Sequence, residues 1–273
     1  MRGVRLKGDG MGIYDSSKTR VSPVFDCLKK SDPTACLWLP RLLALPSGGN
    51  SMSISPNSSS PLVACGWGNA ERKLVPPVSL LSWLIRHPRK PTSGELSKDS
   101  DKAKKRQEWI DGSGNRIQEG LLLLRSNPTQ EDWHIFEGET QPDVFMETVD
   151  IIVVIEGKRT ERKPTTKTKW MDGRNQMLRH IDCAWEIRGK KKVFGFFIVE
   201  GKDNALDIPS EWIAFAKETI SETAVASSLP HRGPIEQKEI AAAFIGVTTW
   251  QTVCHEFQDL GLKWKNLPDA CGI

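Results

Sequence analysis

The stretch DIIVVIEGKRTE, Asp150 to Glu161, drives five branched apolar residues straight into Glu156, Gly157 and Lys158. In an extended chain side chains alternate between faces, so Asp150, Ile152, Val154, Glu156 and Lys158 share one face and Ile151, Val153, Ile155 and Gly157 the other. Apolar residues on both faces specify a strand covered on both sides, at the centre of a sheet. Glu156 and Lys158 leave its end on the same side, about 6.6 Å apart at a rise of ~3.3 Å per residue. A charge at a buried strand end must be paired, hydrogen-bonded or bound to a metal. The segment therefore predicts a set of polar partners converging on Glu156.

Asp143 is the first candidate. If Asp143–Glu147 and Ile151–Glu156 form a hairpin centred between Val149 and Asp150, Asp143 falls opposite Glu156. Two carboxylates then meet beside an ammonium. Close carboxylates repel, and a hard divalent cation such as Mg²⁺, with Mn²⁺ able to substitute, relieves that repulsion through oxygen ligands. A water activated by the ion, and Lys158 stabilising developing negative charge, make a set suited to phosphodiester hydrolysis.

Glu-x-Lys alone carries no weight, because it occurs five times: at Glu71, Glu156, Glu161, Glu200 and Glu236. Only Glu156-Gly157-Lys158 both ends an apolar run and follows a Pro-Asp pair, Pro142-Asp143, on the preceding strand. Glu200-Gly201-Lys202 ends the apolar run VFGFFIV, but the acids before it, Asp182 and Glu186, fall on an amphipathic helix, so a strand-end salt bridge is expected there.

Read as PDVFMETVDIIVVIEGK, Pro142 to Lys158 resembles the PD-(D/E)xK nuclease superfamily, the restriction-endonuclease-like fold. The resemblance spans roughly Lys98 to Val199 and implies an α/β fold with an αβββαβ core: a mixed central sheet flanked by helices. It further implies Asp143 and Glu156 as metal ligands, Lys158 as the catalytic lysine and Gln176, on the helix after the motif, as an accessory residue. His180 follows one helical turn later. A glutamate on the helix before the strands completes the metal site in some members, and here Glu108 and Glu119 both qualify.

Hydrophobic patterning fills in the rest. Helices are expected at Val78–His87, Lys98–Trp109, Asn115–Arg125, Gln176–Ile187, Ser210–Ala226 and Ile235–Leu260. Strands are expected at Trp133–Glu137, Asp143–Glu147, Ile151–Glu156 and Val193–Val199. The Ser/Gly/Asn/Pro stretch Pro46–Pro61 reads as a flexible linker, giving an N-terminal extension with short helical turns over 1–61 and a nuclease-like domain over 62–273.

Net charge is only +4, but Gly157–Lys192 holds twelve basic residues against four acidic ones. A phosphate backbone is the expected partner of such a patch, DNA above RNA, with Arg159, Lys163, Lys167, Lys169, Arg174, Arg179 and His180 as contacts; Trp170 is read first as part of a solvated loop, with base stacking as the alternative. Six cysteines occur without a Cys-x-x-Cys pair, the first ten residues MRGVRLKGDG lack the apolar core of a signal peptide, and no run has the length of a membrane span. A cytoplasmic protein with no membrane partner is expected, and a homodimer is compatible with the sequence. Gly-x-Ser-x-Gly, Walker and Gly-x-Gly-x-x-Gly motifs are missing and the five histidines show no metal-ligand spacing, which argues against serine hydrolase, nucleotide kinase and zinc enzyme. Two functions from different classes remain: a Mg²⁺-dependent nuclease, and a nucleic-acid-binding or assembly protein that keeps the fold without cleavage.

Overall fold

In the computed structural model, residues 16–50, 60–92, 96, 100–126 and 128–268 are described. Residues 51–59 of the expected linker, together with Lys98 and Asp99, lie outside them. The architecture is α/β: one mixed six-stranded sheet with helices on both faces. Its strands are β1 (Ser47–Gly48), β2 (Ala64–Trp67), β3 (Val144–Glu147), β4 (Ile151–Gly157), β7 (Lys192–Val199) and β8 (Phe244–Thr249), in the order β1-β8-β7-β4-β3-β2. A two-stranded ribbon, β5 (Lys167–Thr168) with β6 (Met171–Asp172), stands apart. β2, β3 and β4 form an antiparallel meander, β4, β7 and β8 run parallel, and β1 closes the far edge antiparallel to β8.

The β3–β4 hairpin has the register expected from its centre, with Val144 opposite Ile155 and Phe145 opposite Val154. Every residue of β4 is buried, as a central strand requires. Val153 and Ile155 face a cluster built with Phe25 and Leu28 of α1 (Ser22–Ser31), Leu39 and Leu42 of α2 (Leu39–Leu43), and Trp250 and Val253 of α10 (Trp250–Glu256). Ile152 and Val154 face a second cluster with Met177, Leu178 and Ile181 of α6 (Gln176–Ile187), Trp212 of α7 (Ser210–Thr219), Val225 of α8 (Glu222–Ser228) and Ile240 of α9 (Pro234–Ala242). Residues of the N-terminal stretch read as an extension thus share a core with the sheet, and β1, at its end, pairs with β8.

Three expected elements differ. Trp133–Glu137 is not a strand: Arg106 donates to the carbonyls of Trp133 (2.8 Å) and Ile135 (2.7 Å), occupying oxygens that a neighbouring strand would need. The first strand of the meander is instead β2. Between it and β3 are inserted α3 (Val78–Arg86), α4 (Asp101–Ile110) and α5 (Arg116–Leu123), which gather with Trp133, Phe136 and Trp170 into a third apolar cluster. Ile235–Leu260 is not one helix but α9, β8 and α10, because an apolar run wetted on neither face does not reveal its period; the β-branched residues Ile245, Val247, Thr248 and Thr249 take it as a strand. Ser210–Ala226 breaks into α7 and α8 where the Ser221 hydroxyl caps the second helix.

Gly157 closes β4 beneath the indole of Trp250. A Cβ there would lie 2.7 Å from Trp250 Cζ2 and 2.9 Å from Val21 Cγ2, neither of which can swing clear in a packed core. Gly157→Ala is expected to cost about 1–3 kcal/mol through overpacking, seen as a lower urea midpoint at unchanged slope; an unaltered midpoint would contradict the packing.

Candidate active site

Alternation along β4 and β3 sends Glu156 and Asp143 to the α6 side of the sheet, the face of Ile152, Val154 and Phe145. Hairpin pairing one step beyond Val144–Ile155 sets Asp143 opposite Glu156. The backbone fixes the first acid, since the N–H of Gly157 donates to Asp143 Oδ2 at 2.7 Å. Glu156, 5% exposed, is held by three side chains. Lys158 Nζ donates to its Oε1 at 2.9 Å, Gln176 Nε2 donates to the same oxygen at 2.6 Å, and His180 Nε2 stands 3.1 Å from Oε2. Gln176 opens α6 after Asn175, whose side chain caps the helix by accepting from the N–H groups of Met177 and Leu178. Positions 176 and 180 are one turn apart and present both polar groups to the strand end.

The electrostatics follow from this crowding. Burial, and then the neighbouring Glu156 charge, push Asp143 up to about 8, against the Gly157 N–H and Lys158, which pull it down. Burial works the same way on Glu156, but His180 and Lys158 outweigh it and leave that carboxyl below its usual range. Burial also works against the Lys158 ammonium, and Glu156 more than compensates, so Lys158 is held charged more firmly than a free lysine. Of the two acids, Asp143 is therefore the one that holds a proton more tightly and Glu156 the one kept ionised, with Lys158 as its counter-ion.

Three buried polar atoms around Glu156 make no hydrogen bond among the described residues: Glu156 Oε2, Gln176 Oε1 and His180 Nε2. His180 Nε2 and Glu156 Oε2, 3.1 Å apart, form a close polar contact that leaves both atoms short of a full hydrogen bond. Two of the three atoms are acceptor oxygens beside a carboxylate that resists ionisation, an environment that suits a hard cation. Among the described residues no group of three His, Cys, Asp or Glu side chains converges as a ready-made metal cage. An ion here would take Asp143 and Glu156 and complete its shell with water and substrate oxygens, the habit of Mg²⁺.

Glu108 and Glu119 do not enter this site. Both are ion-paired to Arg116 within the inserted helices. Two residues that sequence reasoning missed do bear on it. Thr140 Oγ1 lies 2.9 Å from His180 Nδ1, which fixes the ring, while its backbone pairs with Leu74 on the chain following β2. Glu71, also after β2, adds to the upward push on Asp143. Thr140 could have been suspected from its place two residues before Pro142, but Glu71 only once β2 was known to flank β3.

The expected nucleic-acid contacts divide. Lys163, Lys167 and Lys169 are exposed on the loop that leaves Lys158, and Arg159 at its start donates to Thr19 Oγ1 at 3.3 Å. Arg174 is wholly buried, bonded to Glu137 and Asp182 at 2.9 Å each and to the Ser228 carbonyl. Arg179 donates to the carbonyls of Gly138 (2.9 Å) and Glu139 (3.0 Å). Both arginines tie the chain leading to Asp143 onto α6; Arg174 is sealed from solvent, and Arg179 is partly exposed. His180 is 2% exposed and serves Glu156, not a phosphate. Trp170, also 2% exposed, belongs to the third apolar cluster and offers no face for a base. Glu200 makes the expected strand-end salt bridge, though to Arg20, which donates twice to it at 2.6 and 2.8 Å.

Because Asp143 is raised from the ordinary carboxylate range to about 8, the folded protein holds a proton there that the unfolded chain gives up near pH 4. Stability from this group is complete below about pH 4 and is lost as pH climbs to about 8, by an amount on the order of a few kcal/mol. Melting of the metal-free wild type and Asp143→Asn across that window should show the variant gaining relative to wild type as pH rises; a difference that does not vary with pH would refute the assignment. No family model, no curated protein and no solved structure matches this chain.

Proposed function

We propose that the protein is a Mg²⁺-dependent nuclease hydrolysing phosphodiester bonds, with DNA as substrate, built on a restriction-endonuclease-like core. The observation that carries this reading is the convergence of Asp143 and Glu156 at the end of the β3–β4 hairpin with Lys158 bonded to Glu156. The run β2–β3–β4–α6–β7, preceded by α1, supports the fold assignment, since it supplies helix, three strands, helix and strand in that order.

A divalent ion bound by the two carboxylates would neutralise phosphate charge and lower the pKa of an attacking water. The residues of the chain do the remainder. Lys158, kept charged by Glu156, is positioned to donate to a phosphate oxygen as negative charge builds on it. Gln176 and His180 hold the Glu156 carboxylate in one orientation, so no reorganisation is needed as the reaction proceeds. Lys163, Lys167 and Lys169 supply an exposed basic margin for the backbone, and binding should weaken with salt.

The test is incubation with plasmid and oligonucleotide substrates in Mg²⁺ or in EDTA. Cleavage is expected only with the metal, and Lys158→Ala and Asp143→Ala are each expected to lower its rate at least about 100-fold. In the same preparations Mg²⁺ should raise the melting temperature of the wild type but not of Asp143→Asn. Cleavage indifferent to both substitutions would overturn the reading. Binding of nucleic acid with no cleavage under any metal would favour the non-catalytic alternative on the same architecture.

A further inference from the structure

We infer that a second binding site, for a phosphorylated nucleoside, lies at the opposite end of the sheet from the acidic pair. Ile151 and Lys192 pair at the start of the two parallel strands, whereas Glu156 sits near the end of β4, five residues and about 17 Å away. A cavity of about 360 Å³ opens there between the end of α6, the end of α9 and the start of β7. This volume falls within the range of small-ligand pockets.

The lining has two kinds of chemistry. Arg188, Lys190 and Lys192 bring positive charge, and Glu239 is the one acid among them. Lys191 is already paired with Glu147, but Lys190 and Lys192 are exposed with no carboxylate partner among the described residues. The floor is apolar and aromatic: Phe194 is 3% exposed, and the Arg188 guanidinium stacks 3.4 Å above the centre of the Trp185 ring. Cations at a helix end are ordinarily explained by the helix dipole. That explanation does not cover the cavity beside them or the guanidinium stacked on the Trp185 ring at its edge. A ligand carrying a phosphate for the lysines and a flat ring for the arginine stack matches both kinds of lining. A free nucleotide and the phosphorylated end of a nucleic-acid strand both have that chemistry.

The inference does not rest on the nuclease reading, and the test keeps them apart. Fluorescently labelled adenosine monophosphate and a 5′-phosphorylated oligonucleotide are titrated in EDTA against wild type, Lys158→Ala, Lys190→Glu/Lys192→Glu and Trp185→Phe. Saturable nucleotide binding is expected, equal in wild type and Lys158→Ala whether or not the wild type cleaves anything. The double charge reversal should weaken it at least tenfold at an unchanged melting temperature, both lysines being exposed, and Trp185→Phe about threefold or more. Oligonucleotide binding that is tenfold tighter than nucleotide binding, and equally sensitive to the reversal, identifies the strand end as the ligand; comparable affinities identify the free nucleotide. Affinity untouched by the reversal, or inorganic phosphate competing as well as the nucleotide does, overturns the proposal.

Discussion

A carboxylate at the closed end of a central strand has to be compensated, and the arrangement around Glu156 is organised by that requirement. One oxygen takes an ammonium and an amide, the other faces an imidazole, and the two helical partners come from a single turn of α6. Removing water from such a group is expensive unless charge and hydrogen bonds replace it. The compensation is nearly complete for Glu156, and it shifts the unresolved part of the burden onto Asp143, which keeps its proton.

The same pattern recurs beneath the site. Arg174 carries an expensive buried charge and is answered by Glu137 and Asp182, and Asp182 in turn by Arg232 at 2.9 Å. This network joins α6 to the chain that runs into Asp143 and to the segment after α8. Truncating one member of such a group leaves another buried charge without a partner, so the network fixes position more than it adds stability.

What was legible in the sequence is what depends on neighbours in the chain. The hairpin register followed from counting residues about one centre, and α6 from the spacing of its apolar positions, because both are set by local geometry. β2 was not legible: four residues, one of them Gly66, carry too little pattern, and their partner lies far along the chain. Exposure was legible least of all. Arg174 and Lys163 look alike in a list of basic residues, yet one is sealed in the core and the other stands in solvent. Nor do the basic residues of Gly157–Lys192 form one patch, because the parallel crossover through α6 carries Arg188–Lys192 to the other end of the sheet.

The helices inserted between β2 and β3 have a kinetic consequence. β3 and β4 are joined by three residues and can find each other quickly, but β2 must wait for the long intervening segment to be brought to heel, a loop-closure cost that falls late on the way to the native state. Leu74 and Glu71 arrive only with β2, and it is the Leu74 backbone that anchors Thr140 against His180. A partly folded chain would thus own the acidic hairpin while lacking the strut behind its imidazole, and competence at the site would be acquired in the last docking event rather than the first.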